Sequence, residues 1–268
     1  MIKVSGEIVS IERFPNGESR ITIPKSSTIE RGNMRIQLKY ESDADLLALF
    51  ILTKEIRDRG LCNNIHLHMA YSPYSRMDRR IGDFCFSLKH IAEFINSLNF
   101  ASVRIVDAHS DVILGLINRA RPGSEIPELV ARVKEWAEDY AIQFDTVYFP
   151  DSGAEKRYRE YAGALPTVTG HKVRNPETGK IESVTIHDNI EVKSVIMIDD
   201  LCSYGGTFFM GAEALAKKGM EKYVLIVPHL EDAVFSGSLL ADPQLLAIFT
   251  TNSMIRSKKH PKIIEYAL

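Results

Sequence analysis

Five short, β-rich apolar runs recur along this chain, at residues 65–70, 102–106, 146–149, 194–198 and 223–227. Around and between them lie residues 45–59, 87–98, 128–140 and 207–218, whose apolar positions repeat at helical spacing. Strands alternating with helices predict an α/β fold of mostly parallel sheets, covered by helices on both faces. Sheets of that kind bind ligands beyond the carboxyl ends of their strands. The residues that follow each run are therefore the first place to look for chemistry.

Punctuation divides the series. The stretch Ala120-Arg121-Pro122-Gly123-Ser124-Glu125-Ile126-Pro127 places two prolines and a glycine between two strand–helix sets. It predicts an N-terminal domain over residues 1–124 and a C-terminal domain over 125–250. Residues 251–268 are expected to return to the first domain. Residues 164–191 are polar and carry Pro166, Gly170, Pro176 and Gly179, which predicts a β-hairpin or a loop with a function.

Charge and cysteine use narrow the function. The chain has 33 Lys+Arg against 35 Asp+Glu, a formal net charge of −2, where a general nucleic-acid binder usually shows a basic excess. No run reaches the ~18–20 apolar residues a membrane helix needs, and the first residues lack a signal-peptide pattern. Cys62, Cys85 and Cys202 are far apart, with no Cys-x-x-Cys pair, which argues against disulfides or structural zinc. The expected location is the cytoplasm.

The most specific segment is Val195-Ile196-Met197-Ile198-Asp199-Asp200-Leu201-Cys202-Ser203-Tyr204-Gly205-Gly206-Thr207. A strand runs into two carboxylates, then into glycines that open a helix. Glycines let backbone N–H groups approach an anion, and the helix N-terminus adds its dipole. Thr207 can bind the phosphate or cap the helix. Asp199 and Asp200 suit sugar hydroxyls or a metal. Phosphate cradle plus acids describes a site for a phosphorylated sugar.

This segment resembles the ribose-phosphate-binding motif of type I phosphoribosyltransferases and of the ribose-phosphate pyrophosphokinases. Other segments select the second family. Tyr71-Ser72-Pro73-Tyr74-Ser75-Arg76-Met77-Asp78-Arg79-Arg80 resembles its ATP-binding segment, and Arg13-Phe14-Pro15-Asn16-Gly17-Glu18 its adenine-binding loop. Val106-Asp107-Ala108-His109-Ser110 resembles its metal- and phosphate-binding Asp-x-His. Phe149-Pro150-Asp151-Ser152-Gly153 resembles the matching loop of the second domain. Val234-Phe235-Ser236-Gly237 and Thr250-Thr251-Asn252-Ser253 also have counterparts. The resemblance implies two tandem type I phosphoribosyltransferase-like domains.

It also implies roles. The family moves the β,γ-diphosphoryl group of ATP onto the anomeric hydroxyl of ribose 5-phosphate and releases AMP. Phe14, Asn16, Glu18, Arg76, Met77, Asp78 and His109 are then expected at ATP. Asp107, His109 and Asp151 would bind Mg2+, directly or through its waters. Asp199, Asp200, Ser203, Tyr204, Gly205, Gly206 and Thr207 would bind the ribose phosphate. Lys172 and Arg174, on one face of an extended strand, would cover the transferring group as catalytic cations. In the family the Phe14–Glu18 loop completes a neighbouring subunit's ATP site, which implies a homo-oligomer; local sequence alone reads Pro15-Asn16-Gly17 as a hairpin turn.

The pattern departs from the family in four places. Ser203 and Tyr204 replace the usual Asp-Thr before the glycines. Met77 stands where glutamine is common. Ala154-Glu155 replaces small residues and adds a carboxylate that would repel a phosphate nearby. The strand–helix unit that precedes the Phe-x-x-x-Glu loop in the family is expected to be missing. Two departures fall on the sugar-phosphate side, so a changed acceptor is the alternative. ADP-ribose, used by some phage-type relatives in rebuilding NAD+, would need a wider loop and an aromatic such as Tyr204. Two further readings are a phosphoribosyltransferase and a non-catalytic synthetase-associated protein. The first is disfavoured by the ATP motifs, the second by the retained charged residues.

Overall fold

A computed structural model of the chain describes residues 1–24, 32–174, 181–187, 190–256 and 259–268. Among the described residues no helix is long and apolar enough to cross a membrane. The chain forms two units, Met1–Ser124 and Glu125–Leu268.

The first unit begins with β1 (Ile2–Val4), β2 (Glu7–Ile8) and a two-stranded hairpin of β3 (Ser10–Arg13) and β4 (Ser19–Thr22). There follow β5 (Asn33–Leu38), α1 (Asp43–Asp58), β6 (Asn64–Met69), α2 (Ser87–Ser97), β7 (Ser102–Val106), the short α3 (Val112–Leu116) and β8 (Ala120–Gly123). The sheet order is β2-β1-β5-β6-β7-β8, parallel from β5 to β8 and antiparallel at β1 and β2. Asp45 accepts from the backbone of Ser42 and Glu41 at 3.1 and 2.8 Å, closing the start of α1.

Ile36, Leu38, Ile65, Leu67, Met69, Val103 and Ile105 of the strands share one core with Leu49, Leu52 and Ile56 of α1, Ala92 and Ile95 of α2 and Ile113 of α3. Parallel strands in chain order with right-handed crossovers send successive helices to the same side. Burial therefore alternates along β5 and β6, and the opposite side of this sheet is polar. The expectation of helices on both faces does not hold for this sheet.

The second unit comprises α4 (Ile126–Asp139), β9 (Thr146–Phe149), α5 (Ser152–Tyr158), β10 (Thr167–Thr169), β11 (His171–Arg174), β12 (Ile181–Thr185) and β13 (Ser194–Ile198). It continues with β14 (Leu201–Cys202), α6 (Gly206–Ala216), β15 (Lys222–Ile226), β16 (His229–Leu230), β17 (Leu245–Thr251) and β18 (Ile263–Tyr266). Its sheet, β10-β9-β13-β15-β17-β18, is parallel throughout. Here β9 and β13 are buried at every position. Phe208, Ala212 and Leu215 of α6 cover Met197 and Leu225 on one face; Leu129 and Val133 of α4 and Tyr158 of α5 cover Ile196, Ile198 and Val224 on the other. Near-continuous apolar runs are what a doubly covered parallel strand requires.

One domain assignment is corrected. Residues 251–268 do not return to the first unit. Ile263 and Ile264 pair in parallel with Ile248 and Phe249 and form the edge strand of the second sheet. Thr251 and Ser253 bury their hydroxyls against the Pro228 carbonyl at 2.6 and 3.0 Å, which fixes the turn at the end of β17.

Candidate active site

In the second unit the two acids leave the sheet together. Asp199 and Asp200 directly follow β13. The Asp199 carboxylate accepts from the Asp200 amide at 2.9 Å. Parallel pairing of β14 with β16 pins the next residues, since the His229 amide donates to the Asp200 carbonyl at 3.1 Å and the Glu231 amide to the Cys202 carbonyl at 2.9 Å. Arg157, on α5, holds the acids from the side. Its Nη2 lies 2.8 Å from Asp200 Oδ1 and 3.6 Å from Asp199 Oδ1. Burial raises the Asp199 carboxyl well above the ordinary carboxylate range, and the Asp200 carboxylate raises it further.

The loop that follows is shaped by two glycines. Gly205 caps α6 at φ 81°, and a Cβ there would stand 2.7 Å from Leu239. A Cβ on Gly237 would stand 1.9 Å from the Tyr204 carbonyl oxygen. The turn at Val234-Phe235-Ser236-Gly237 is thus the seat of the Ser203–Gly206 loop. Gly206 is exposed at the first position of α6, and no side chain caps that helix. Of the two roles open to Thr207, capping is therefore not the one seen. Ser203 is half-buried, and Tyr204 is 62% exposed. The buried Cys202 thiol is pushed up by burial and by Asp199 and Glu231, which disfavours the thiolate.

Asp151 follows β9 and caps α5. Its Oδ1 accepts from the Gly153 and Ala154 amides at 3.0 Å each, and its Oδ2 lies 2.6 Å from Lys172 Nζ. Burial would raise this carboxyl, but Lys172 and the two amides outweigh it and hold it below the usual range. Lys172 sits on β11, which pairs antiparallel with β12. Arg174 ends β11, but its side chain lies outside the described residues, as do residues 175–180. Glu155 is turned away as an ion pair, with Arg159 Nη1 at 2.5 Å and the Thr169 hydroxyl at 2.9 Å. The repulsion expected from this added carboxylate is met by those partners.

In the first unit Asp107 follows β7 and is 5% exposed. It adopts φ 38°, a left-handed conformation that costs energy at a non-glycine position. Its Oδ1 accepts from the Ser124 hydroxyl at 2.6 Å. His109 is half-buried nearby in sequence. Burial would raise Asp78, but Ser110, Arg79 and His109 hold it below the carboxylate range, with Arg79 Nε at 3.0 Å. Arg76 is exposed and Met77 half-buried, on a turn fixed by the buried Tyr71, Ser72 and Ser75. Phe14, Asn16 and Glu18 occupy the tip of the β3–β4 hairpin, with Phe14 49% exposed. Asn16 Oδ1 accepts the Glu18 amide at 3.2 Å, as the turn reading expects. No group of three or more His, Cys, Asp or Glu is arranged to hold a metal among the described residues.

The chain is 29% identical to the ribose-phosphate pyrophosphokinase of Saccharolobus solfataricus over 240 residues, covering 86% of this chain and 77% of that one. It is 27% identical to the Aquifex aeolicus protein of the same name over 260 residues, covering 94% and 81%. The phosphoribosylpyrophosphate synthetase structure from Mycobacterium smegmatis superposes with a TM-score of 0.78 at 21% identity, covering 97% of this chain and 86% of that one. The chain is thus similar to ribose-phosphate pyrophosphokinases over most of its length. No family model matches it.

Arg157 was missed by sequence reasoning. A single arginine in the last turn of a short helix gives no local signal. The signal available was indirect: two adjacent acids buried at a sheet edge require a cation within reach.

Proposed function

We propose that the chain transfers the β,γ-diphosphoryl group of ATP to the anomeric 1-hydroxyl of ribose 5-phosphate and releases AMP. The observation that carries this reading is the carboxyl edge of the second sheet. There a carboxylate pair, a glycine-opened helix and a lysine-bearing strand all belong to one unit. Asp200, fixed by Arg157, and Asp199 can accept hydrogen bonds from ribose hydroxyls. The Gly205–Gly206 amides and the α6 N-terminus suit the 5-phosphate.

Diphosphoryl transfer needs positioning and charge neutralisation more than covalent help. Lys172 is the described cation assigned to that task. It is held by Asp151 at 2.6 Å and reaches a substrate by leaving that carboxylate. Asp107 in the first unit, with His109 through metal-bound waters, and Asp151 in the second unit would each be able to bind Mg2+. Their donors are carboxylate oxygens, the type Mg2+ prefers, and Mg2+ needs few protein ligands because it keeps waters and substrate phosphates. When bound, the ion neutralises the ATP phosphate oxygens. Arg76, Met77, Asp78 and His109 are assigned to ATP. The exposed hairpin tip with Phe14, Asn16 and Glu18 supports completion of a neighbouring subunit's ATP site.

Substitution Lys172→Ala tests the catalytic assignment. Turnover should fall at least a hundredfold while ATP affinity changes less than threefold. Equal losses in both, with an intact fold, would overturn it.

The exposed Tyr204 supports a second reading, with ADP-ribose as acceptor. A ring beside the phosphate loop can stack on a distal adenine, and Ser203 leaves room. Product masses with each acceptor separate the two. Efficient use of ribose 5-phosphate with none of ADP-ribose removes the second reading.

A further inference from the structure

Three side chains meet beyond the carboxyl ends of β5 and β6. Tyr40 follows β5, Asp43 opens α1, and Tyr74 lies in the segment that follows β6. The Tyr40 and Tyr74 hydroxyls both donate to Asp43 Oδ1, each at 2.6 Å. Such short contacts are those of a phenol on a charged carboxylate. The two rings stand 6.5 Å apart, tilted by 57°, and both pack against the core of the first unit. Asp43 is the first residue of α1, where the helix dipole favours a negative charge. The two hydroxyls hold its carboxyl below the usual range. Asp43 is also the main cause of the raised Tyr74 phenol, and adds to burial in raising that of Tyr40. At neutral pH one carboxylate therefore faces two protonated phenols.

Tyr74 needs this support. Its φ is 61°, in the left-handed region, where a bulky side chain is strained. Strain of this kind persists only where the surroundings over-determine the conformation. A turn starts at this residue, with the Met77 amide donating to the Tyr74 carbonyl at 2.9 Å. Inside the turn Ser75 is buried, its hydroxyl 3.1 Å from the Tyr71 hydroxyl, and Arg76 is exposed. If Tyr74 relaxed to an ordinary φ, the residues after it would be re-aimed, Arg76 among the first.

We propose that Asp43 is a positioning residue, which holds Tyr74 in its left-handed turn and so sets how Arg76 is presented. Tyr40 supplies the second hydroxyl and fixes the carboxylate from its other neighbour. The inference rests on the assignment of Arg76 to ATP, and adds that an acid on α1 tunes ATP affinity without touching the nucleotide. An acid that served ATP directly would behave differently in one respect. Glycine adopts positive φ without steric cost. Substitution Tyr74→Gly therefore removes the need for Asp43 only if Asp43 acts through the turn.

The test is a double-mutant cycle on the full chain, read as the dissociation constant of ATP with Mg2+ by titration calorimetry. Asp43→Ala should weaken ATP by about tenfold, the order expected of strain at one non-glycine position, with KM for ribose 5-phosphate little changed. Asp43→Asn keeps an oxygen for both hydroxyls and should recover most of that loss. In the Tyr74→Gly background, Asp43→Ala should have almost no further effect on ATP. An equal loss in both backgrounds overturns the proposal, because Asp43 would then act on ATP without Tyr74. So does unchanged ATP affinity in Asp43→Ala when Arg76→Ala weakens ATP. Unchanged affinity in Arg76→Ala overturns the underlying assignment, and the inference with it.

Discussion

Replacing Arg157 with methionine isolates the electrostatic core of the candidate sugar site. The substitution keeps length and apolar bulk but removes the cation that lies 2.8 Å from Asp200 and 3.6 Å from Asp199. Asp200 has a side-chain exposure of 3% and Arg157 of 26%, so water replaces little of the lost charge. Removing one partner of a buried pair typically costs ~3–5 kcal/mol, because the remaining charge stays buried. At about 2–4 °C per kcal/mol for a domain of this size, a loss near the lower bound lowers the melting temperature by roughly 6–12 °C. Differential scanning calorimetry at pH 7.5 reads this directly. Adding Asp200→Asn should restore most of the loss. A shift no larger than that of Arg159→Met, whose arginine is 66% exposed, would refute the reasoning.

Three further outcomes are expected. The folded-state raising of Asp199 means its stabilising proton is held below the unfolded carboxylate value and lost as pH rises through the folded one; Asp199→Asn should therefore raise the melting temperature at pH 8, change it little at pH 4, and weaken acceptor binding. Gly237→Ala drives a Cβ into the Tyr204 carbonyl and should cost ~1–3 kcal/mol, with KM for the acceptor rising far more than KM for ATP. In the native protein a thiol reagent should label the exposed Cys85 quickly and reach the buried Cys62 and Cys202 only on unfolding.

Much of this fold is legible in the sequence because its strands are short and strongly apolar. In the second unit β9, β13 and β15 read as continuous runs, which only a doubly covered sheet tolerates. The first sheet was harder. In Asn64-Ile65-His66-Leu67-His68-Met69 the apolar residues alternate with polar ones, a one-sided pattern that an eye set for apolar runs passes over. The C-terminal segment misled for a similar reason. Ile263 and Ile264 form so brief an apolar pair that only the open edge of β17 makes them a strand. At the site, motifs contiguous in sequence were readable, from Asp199 to Thr207 above all. The Arg157 contact and the seat at Gly237 depend on residues brought together by the sheet, and no local spacing announces them.

The central claim concerns which bond of ATP is broken. Phosphorus-31 NMR of the protein with ATP, Mg2+ and ribose 5-phosphate follows that bond directly. The account predicts AMP and a sugar 1-diphosphate in equal amounts, with the β and γ phosphorus nuclei still joined in the product. ADP with ribose 1,5-bisphosphate, or AMP with free diphosphate in place of the sugar 1-diphosphate, would contradict it.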